Sequence, residues 1–151
     1  MTDGIKVTEP QTQQLGASEE RLWAMLAHVS ILLNLVTGFL GVFAALLIYL
    51  LFRDRSRYVA YQSLQAFIFQ LITWGGGGVI IGVIWAVVAA LSVLIVGVVL
   101  IPGAILLTIF FGLMPLLGLC YGVAAAIQAN RGQDFKYWLI GDWLRSTLTG
   151  Q

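Results

Sequence analysis

YVAYQSLQAFIFQLITWGGGGVIIGVIWAVVAALSVLIVGVVLIPGAILLTIFFGLMPLLGLCYGVAAAIQAN, residues 58–130, contains no Asp, Glu, Lys, Arg or His. A soluble domain of this size needs charge scattered over its surface, so an unbroken charge-free run marks a segment solvated by lipid. At a helical rise of ~1.5 Å per residue it extends over roughly 100 Å, enough to cross a hydrocarbon core of ~30 Å at least twice. The composition agrees: the 151-residue chain is 60% hydrophobic and 10% charged, whereas average soluble domains are about 45–50% apolar and about 25% charged. A net charge of +1 suggests no nucleic-acid partner.

The placement of charge is more informative than its sum. The basic residues fall before the first apolar segment (Lys6, Arg21), between Phe52 and Tyr58 (Arg53, Arg55, Arg57), and after Asn130 (Arg131, Lys136, Arg145). The acids share the same three places. Basic loops stay on the cytoplasmic side of a bacterial inner membrane, so an even number of crossings is expected between clusters. The expected fold is all-α: an integral membrane four-helix bundle of two helical hairpins, with both termini cytoplasmic and a C-terminal interfacial amphipathic segment. The expected organisation is a disordered tail over 1–18, a membrane domain over 19–130 and a cytoplasmic or interfacial tail over 131–151.

Ser18 is a good N-cap, with Glu19 and Glu20 where the helix dipole favours acids. RLWAMLAHVSILLNLV, 21–36, then sets a leucine-rich face against one of small and polar residues. Thr37–Gly38 reads as the turn of the first hairpin, which returns over 39–52; the alternative is one long tilted helix with Arg21 and Arg53 on opposite sides. The four glycines 75–78 would be a linker in water; at membrane depth an open loop lacks backbone partners, so a kinked helix is expected instead, with an extra turn and a fifth span as the alternative. Gly78 and Gly82, and Gly118 and Gly122, have the spacing of small-residue packing grooves. Ile101-Pro102-Gly103 is the best turn signal of the second hairpin, Pro115 should kink the last span, and Cys120 reads as a buried, inert thiol. The aromatic residues of FKYWLIGDWLRSTL, 135–148, suit a segment lying along the membrane surface.

His28 is the only ionisable side chain inside a span, and such residues mark functional positions by default. Counting rise from the arginines puts His28 about 10 Å below Arg21, level with Gln62 and Gln65 about 8–12 Å below Arg57. Asn34 and Gln70 match in the same way, each thirteen residues beyond its arginine. Two polar layers follow. They either fix packing at roughly 0.6–2 kcal/mol per contact or form a hydrated, proton-sensitive passage. Arg53, Arg55 and Arg57 set topology and offer a docking site for anionic lipid or a partner protein. Catalytic motifs, paired carboxylates within a span and a metal-ligand cluster are not found, so neither cofactor nor metal is expected.

ERLWAMLAHVSILLN (20–34), GFLGVFAALLIYLLFRDRSRYVAYQSLQAFIFQ (38–70) and AAIQANRGQDFKYWLIGDW (125–143) together resemble the small bacterial Tic-like membrane proteins. These are related by fold to the four-helix subunit of the chloroplast inner-envelope translocon and to magnetosome membrane proteins of the MamF type. The resemblance implies a four-helix membrane protein without known enzymatic activity. Where the bacterial pattern has a His near the start of the third span and an Asn before its Phe-Gln pair, this chain has Gln62 and Ile68, so no role of that His or Asn carries over. The expected function is a non-catalytic structural or interaction component, in contact with lipids and with itself or other membrane proteins. The alternative is a small oligomeric channel or permease.

Overall fold

The computed structural model describes residues 14–138 and 140–149; most of the expected N-terminal tail lies outside them. The described chain is helical, in the order α1 (Ala17–Val29), α2 (Ile31–Thr37), α3 (Leu40–Phe52), α4 (Arg57–Gln70), a π-helical turn (Leu71–Gly76), α5 (Gly77–Ser92), α6 (Val96–Asn130) and α7 (Gly141–Thr149).

The N-cap of α1 is Gly16 rather than Ser18, because the Glu19 carboxylate accepts the Gly16 N–H at 3.1 Å and draws the helix start back two residues. α2 continues α1 past an irregular turn at Ser30, and Gly38, at φ +80°, reverses the chain into α3. This first hairpin closes where Thr37–Gly38 was expected to close it. It packs on α4 through Ala27, Ala45, Ile48, Phe52, Val59 and Ala66. Ser56 caps α4 by accepting the Val59 N–H at 3.1 Å, and its own hydroxyl donates to Glu20 at 2.5 Å, tying the start of α4 to α1.

The second hairpin differs from expectation at its turn. The chain reverses at Val93–Ile95, and Pro102 lies inside α6. The antiparallel pairing explains why: Trp85 donates its indole N–H to Thr108 at 2.9 Å, and Val88 and Ala104 are buried against the opposing helix. A turn at Pro102 would set Trp85 opposite a different residue. Close approach at the tip requires Gly97, since a Cβ there would collide with the Val88 carbonyl and the Ser92 backbone nitrogen. The strain falls on Ile95, the one described non-glycine residue with positive φ (+68°). The tip amides remain paired nonetheless, Leu94 N–H to Leu91 and Ile95 N–H to Ser92, each at 3.0 Å.

Gly75–Gly78 does not separate two helices. The wider π turn there carries α4 into α5 without interruption, so the glycines make no extra reversal. Pro115 lacks the N–H that would bond the Phe111 carbonyl, and a Cβ on Gly77 would stand 3.6 Å from that same oxygen. Both long helices thus carry their irregularity at one level.

That level divides the molecule. The first hairpin reaches it and stops, with Phe39 at its turn lying against Gly75. Beyond it α5 packs chiefly against α6, forming a two-helix arm whose outer residues (Val83, Val99, Leu106) are apolar and exposed. Residues 57–92 and 96–130 are long and apolar enough to cross a membrane, whereas Leu40–Phe52 is apolar but shorter. Near 1.5 Å per residue the 36 residues of 57–92 run ~54 Å. The first hairpin covers roughly half that, so the two hairpins are of unequal depth.

The C-terminal tail also departs from expectation. Rather than lying wholly along the surface, it buries Phe135, Tyr137, Ile140 and Leu144 against Tyr61 and Ala125. Only part of its aromatic character faces outward, at Trp138 and Trp143, which are 82% and 62% exposed. Cys120 is exposed rather than buried, because Gly118, Leu119 and Gly122 occupy the inward phase of α6.

Candidate functional site

α6 ends in a turn that aims the tail back into the bundle. Gly132, at φ +72°, donates its N–H to Ala129 at 3.0 Å, and Gln133 donates to Gln128 at 3.0 Å. This pair of bonds satisfies the last carbonyls of the helix. Tyr58 from α4 adds its hydroxyl to the Ala129 and Gln133 carbonyls, at 3.2 and 3.1 Å.

Residues 134–137 then run past α4, where two glutamines hold them. Gln65 donates its amide N–H to the Phe135 carbonyl at 3.1 Å and accepts the Tyr137 N–H at 3.1 Å. One side-chain amide therefore pairs with two backbone groups of the tail, as a neighbouring strand would. Gln62 donates to the Phe135 carbonyl at 3.2 Å and to Asp134 Oδ1 at 3.1 Å. Because both partners of its Nε2 are acceptors, its Oε1 remains to accept from His28 Nε2, 3.0 Å away. His28 Nδ1 must then accept the Tyr137 hydroxyl proton, at 3.1 Å. The network thus assigns His28 as the neutral Nε2–H tautomer, with both ring nitrogens occupied and the residue 1% exposed.

Aromatic rings seal this layer. Tyr137 stacks on Phe69 with centroids 4.2 Å apart and meets Tyr121 and Phe135 edge-on at 5.2 and 4.9 Å. Burial in this cluster raises the Tyr137 phenol well above its ordinary range, and neighbouring Tyr121 adds to the shift.

A second polar layer lies deeper. Asn34 donates to Gln70 Oε1 at 3.1 Å, and Gln70 donates to Ser30 Oγ at 3.0 Å. Ser30 in turn donates to the Ala27 and Gly41 carbonyls at 2.7 and 3.0 Å. Gly41 completes the layer by donating its N–H to Asn34 Oδ1 at 2.7 Å. A Cβ at Gly41 would collide with the Ser30 carbonyl and crowd Asn34 and Gln70.

The structure therefore brings His28 to Gln62 and Asn34 to Gln70, and directs Gln65 to the tail instead of to His28. It also recruits residues that reading the spans alone does not supply: Asp134, Phe135, Tyr137 and Tyr121. Of the glycines, Gly118 lies against Phe69 and Thr73 and Gly122 against Ile31, while a Cβ on Gly78 or Gly82 would meet no atom within 4 Å. Within one chain, that second pair packs against nothing.

The arginines of the α3–α4 loop diverge. Arg53 pairs with Asp54 at 3.5 Å, both exposed, and among the described residues no carboxylate lies within ion-pair distance of Arg55 or Arg57. Arg53 and Arg57 line a pocket of about 610 Å³ shared with Tyr49, Tyr58, Tyr61, Asp134 and Arg145, while Arg55 does not line it. Arg145 donates to Asp134 and lies over the Tyr61 ring, 5.2 Å from its centroid. No cluster of three or more His, Cys, Asp or Glu side chains placed to hold a metal occurs among the described residues.

No curated protein and no solved structure matches the chain. The family described as magnetosome magnetite crystal formation proteins, MamF/MmsF, matches over residues 19–144, from the first turn of α1 to Leu144 in α7. With that match covering most of the sequence, and two helices fit to cross a bilayer, the chain is a membrane protein that belongs to the MamF/MmsF magnetosome magnetite crystal formation family.

Proposed function

We propose that the chain acts as a non-catalytic structural or interaction component of the membrane assembly in which magnetite crystals form. In this reading it is a multi-pass protein of the inner membrane. Four membrane-embedded helical legs enter from one face, and both termini are cytoplasmic. We also read the ordered motifs at 20–34, 38–70 and 125–143 as kinship with the bacterial Tic-like proteins.

The closed network around His28 carries this reading. His28, Asn34, Gln62, Gln65 and Gln70 are each at most 1% exposed, and each bonds to other residues of the same chain. Side chains so occupied fix helix packing and lack a vacant group with which to relay protons or bind a solute. The surfaces left for function are the apolar outer faces and the arginine loop, both suited to lipid and membrane-protein contacts.

His28→Leu tests the proposal in cells that form magnetite and in purified protein. Lowered thermal stability with crystal number and size preserved, once expression is matched, supports the packing role. A stable variant that abolishes crystal formation, or a proton flux in proteoliposomes that the substitution removes, would overturn it in favour of a channel or permease.

A further inference from the structure

We propose that the pocket between the C-terminal end of α3, the N-terminal end of α4 and the tail binds the headgroup of an anionic phospholipid. The assignment rests on the reading that the Arg53–Arg57 end of the bundle lies at an aqueous membrane face. Two guanidinium groups, Arg53 and Arg57, line the pocket. The first has only an exposed contact with its sequence neighbour Asp54, and the second has no ion-pair partner among the described residues. Opposite them, Arg145 is held by Asp134 and by the Tyr61 ring, so one wall is positioned in advance. The lining carries three cations against the single carboxylate of Asp134, a surplus of positive charge that favours an anion.

The shape favours a lipid over a free oxyanion. At about 610 Å³ the pocket is far larger than a single phosphate needs. Tyr49 stands one helical turn below Arg53, and its hydroxyl has no bonded partner among the described residues. It can donate to a phosphate ester whose charge is met by the arginines above. On the adjacent outer face of α3, Leu47 and Leu50 are exposed and apolar, a surface along which acyl chains can run. Bidentate guanidinium contacts to phosphate supply the specificity, and the tyrosines suit the interfacial depth.

The test uses the full chain, reconstituted in bilayers of phosphatidylcholine alone or with phosphatidylglycerol and analysed by native mass spectrometry for retained lipid and by thermal denaturation. Wild type should retain phosphatidylglycerol selectively and be stabilised by it. R53Q/R57Q should lower the selectivity roughly tenfold or more, while R55Q/R131Q, which removes the same charge outside the pocket, should leave it intact. Equal loss in the two double variants would overturn the pocket in favour of general surface attraction, and no loss in either would also overturn it. Full protection by inorganic phosphate in phosphatidylcholine alone would assign the site to a soluble oxyanion and overturn the lipid assignment. Failure of wild type to integrate into bilayers, read by alkaline-carbonate extraction, would overturn the membrane reading beneath it.

Discussion

Gln65 is the most economical place to test how the tail is held. In Gln65→Leu the side chain keeps a similar volume but loses both bonds to the tail. The Phe135 carbonyl retains Gln62 at 3.2 Å, whereas the buried Tyr137 N–H loses its only partner in the network. A buried donor left unpaired costs about 1–3 kcal/mol, and the second lost bond about 0.5–1.5 kcal/mol. We therefore expect undocking of the tail to become easier by about 2–4 kcal/mol, or roughly 30- to several-hundred-fold in the open population. Hydrogen exchange at the Tyr137 amide and tryptic cleavage after Lys136, both in detergent micelles, report that population directly. Ser63→Ala is the reference, since Ser63 bonds only carbonyls of its own helix, at Val59 and Ala60. Unchanged exchange and cleavage in Gln65→Leu would refute the clamp, as would an equal change in Ser63→Ala.

Other expectations follow from close contacts and burial. Gly41→Ala should destabilise the first hairpin by about 3 kcal/mol or more, because the added methyl collides with backbone and disrupts the Asn34–Gln70 layer; a denaturant titration measures it. Gly97→Ala should destabilise the arm by about 1–3 kcal/mol, whereas Ile95→Gly should be neutral or stabilising by up to about 1 kcal/mol as left-handed strain is relieved. Equal melting shifts for these two variants would contradict the observed tip. The raised Tyr137 phenol favours the folded state while it stays protonated. Its contribution is intact below the unfolded value near pH ~10 and is lost as pH rises above that, since the unfolded chain ionises first. Tyr137→Phe should flatten this alkaline loss of stability relative to wild type, as followed by thermal melts from neutral pH upward.

Much of this arrangement is legible in the sequence because it is counted from fixed points. Counted from Arg21 and Arg57, which border the apolar runs, Asn34 and Gln70 stand at equal distance and His28 and Gln62 at nearly equal distance, and each pair meets. Gly38 is readable as a turn because Thr37–Gly38 interrupts the apolar run about midway between Arg21 and Arg53. The second turn is not readable in the same way. Ile101-Pro102-Gly103 has turn composition, but the pairing of Trp85 with Thr108 and the small volume of Gly97 place the reversal at Val93–Ile95, among residues without turn preference. The tail is harder still. Its aromatic and charged composition fits a membrane surface, and Trp138 and Trp143 do face outward. What draws Phe135 and Tyr137 inward is a match to Gln65 and His28 more than 65 residues away in sequence, which no local pattern encodes. Cys120 is exposed rather than buried for the related reason that helix phase, set by Gly118 and Gly122, decides burial on an almost wholly apolar helix.

In the proposed topology both hairpins enter the membrane from one face, so that every charged cluster shares one aqueous side. Single cysteines replacing Arg55, Lys136 and Leu94, each in a Cys120→Ser background, can be challenged with a membrane-impermeant maleimide on intact spheroplasts and again after lysis. The Arg55 and Lys136 positions should be unreactive in intact spheroplasts and react fully once the cytoplasmic face is opened. Labelling of either one from the outside would contradict that topology.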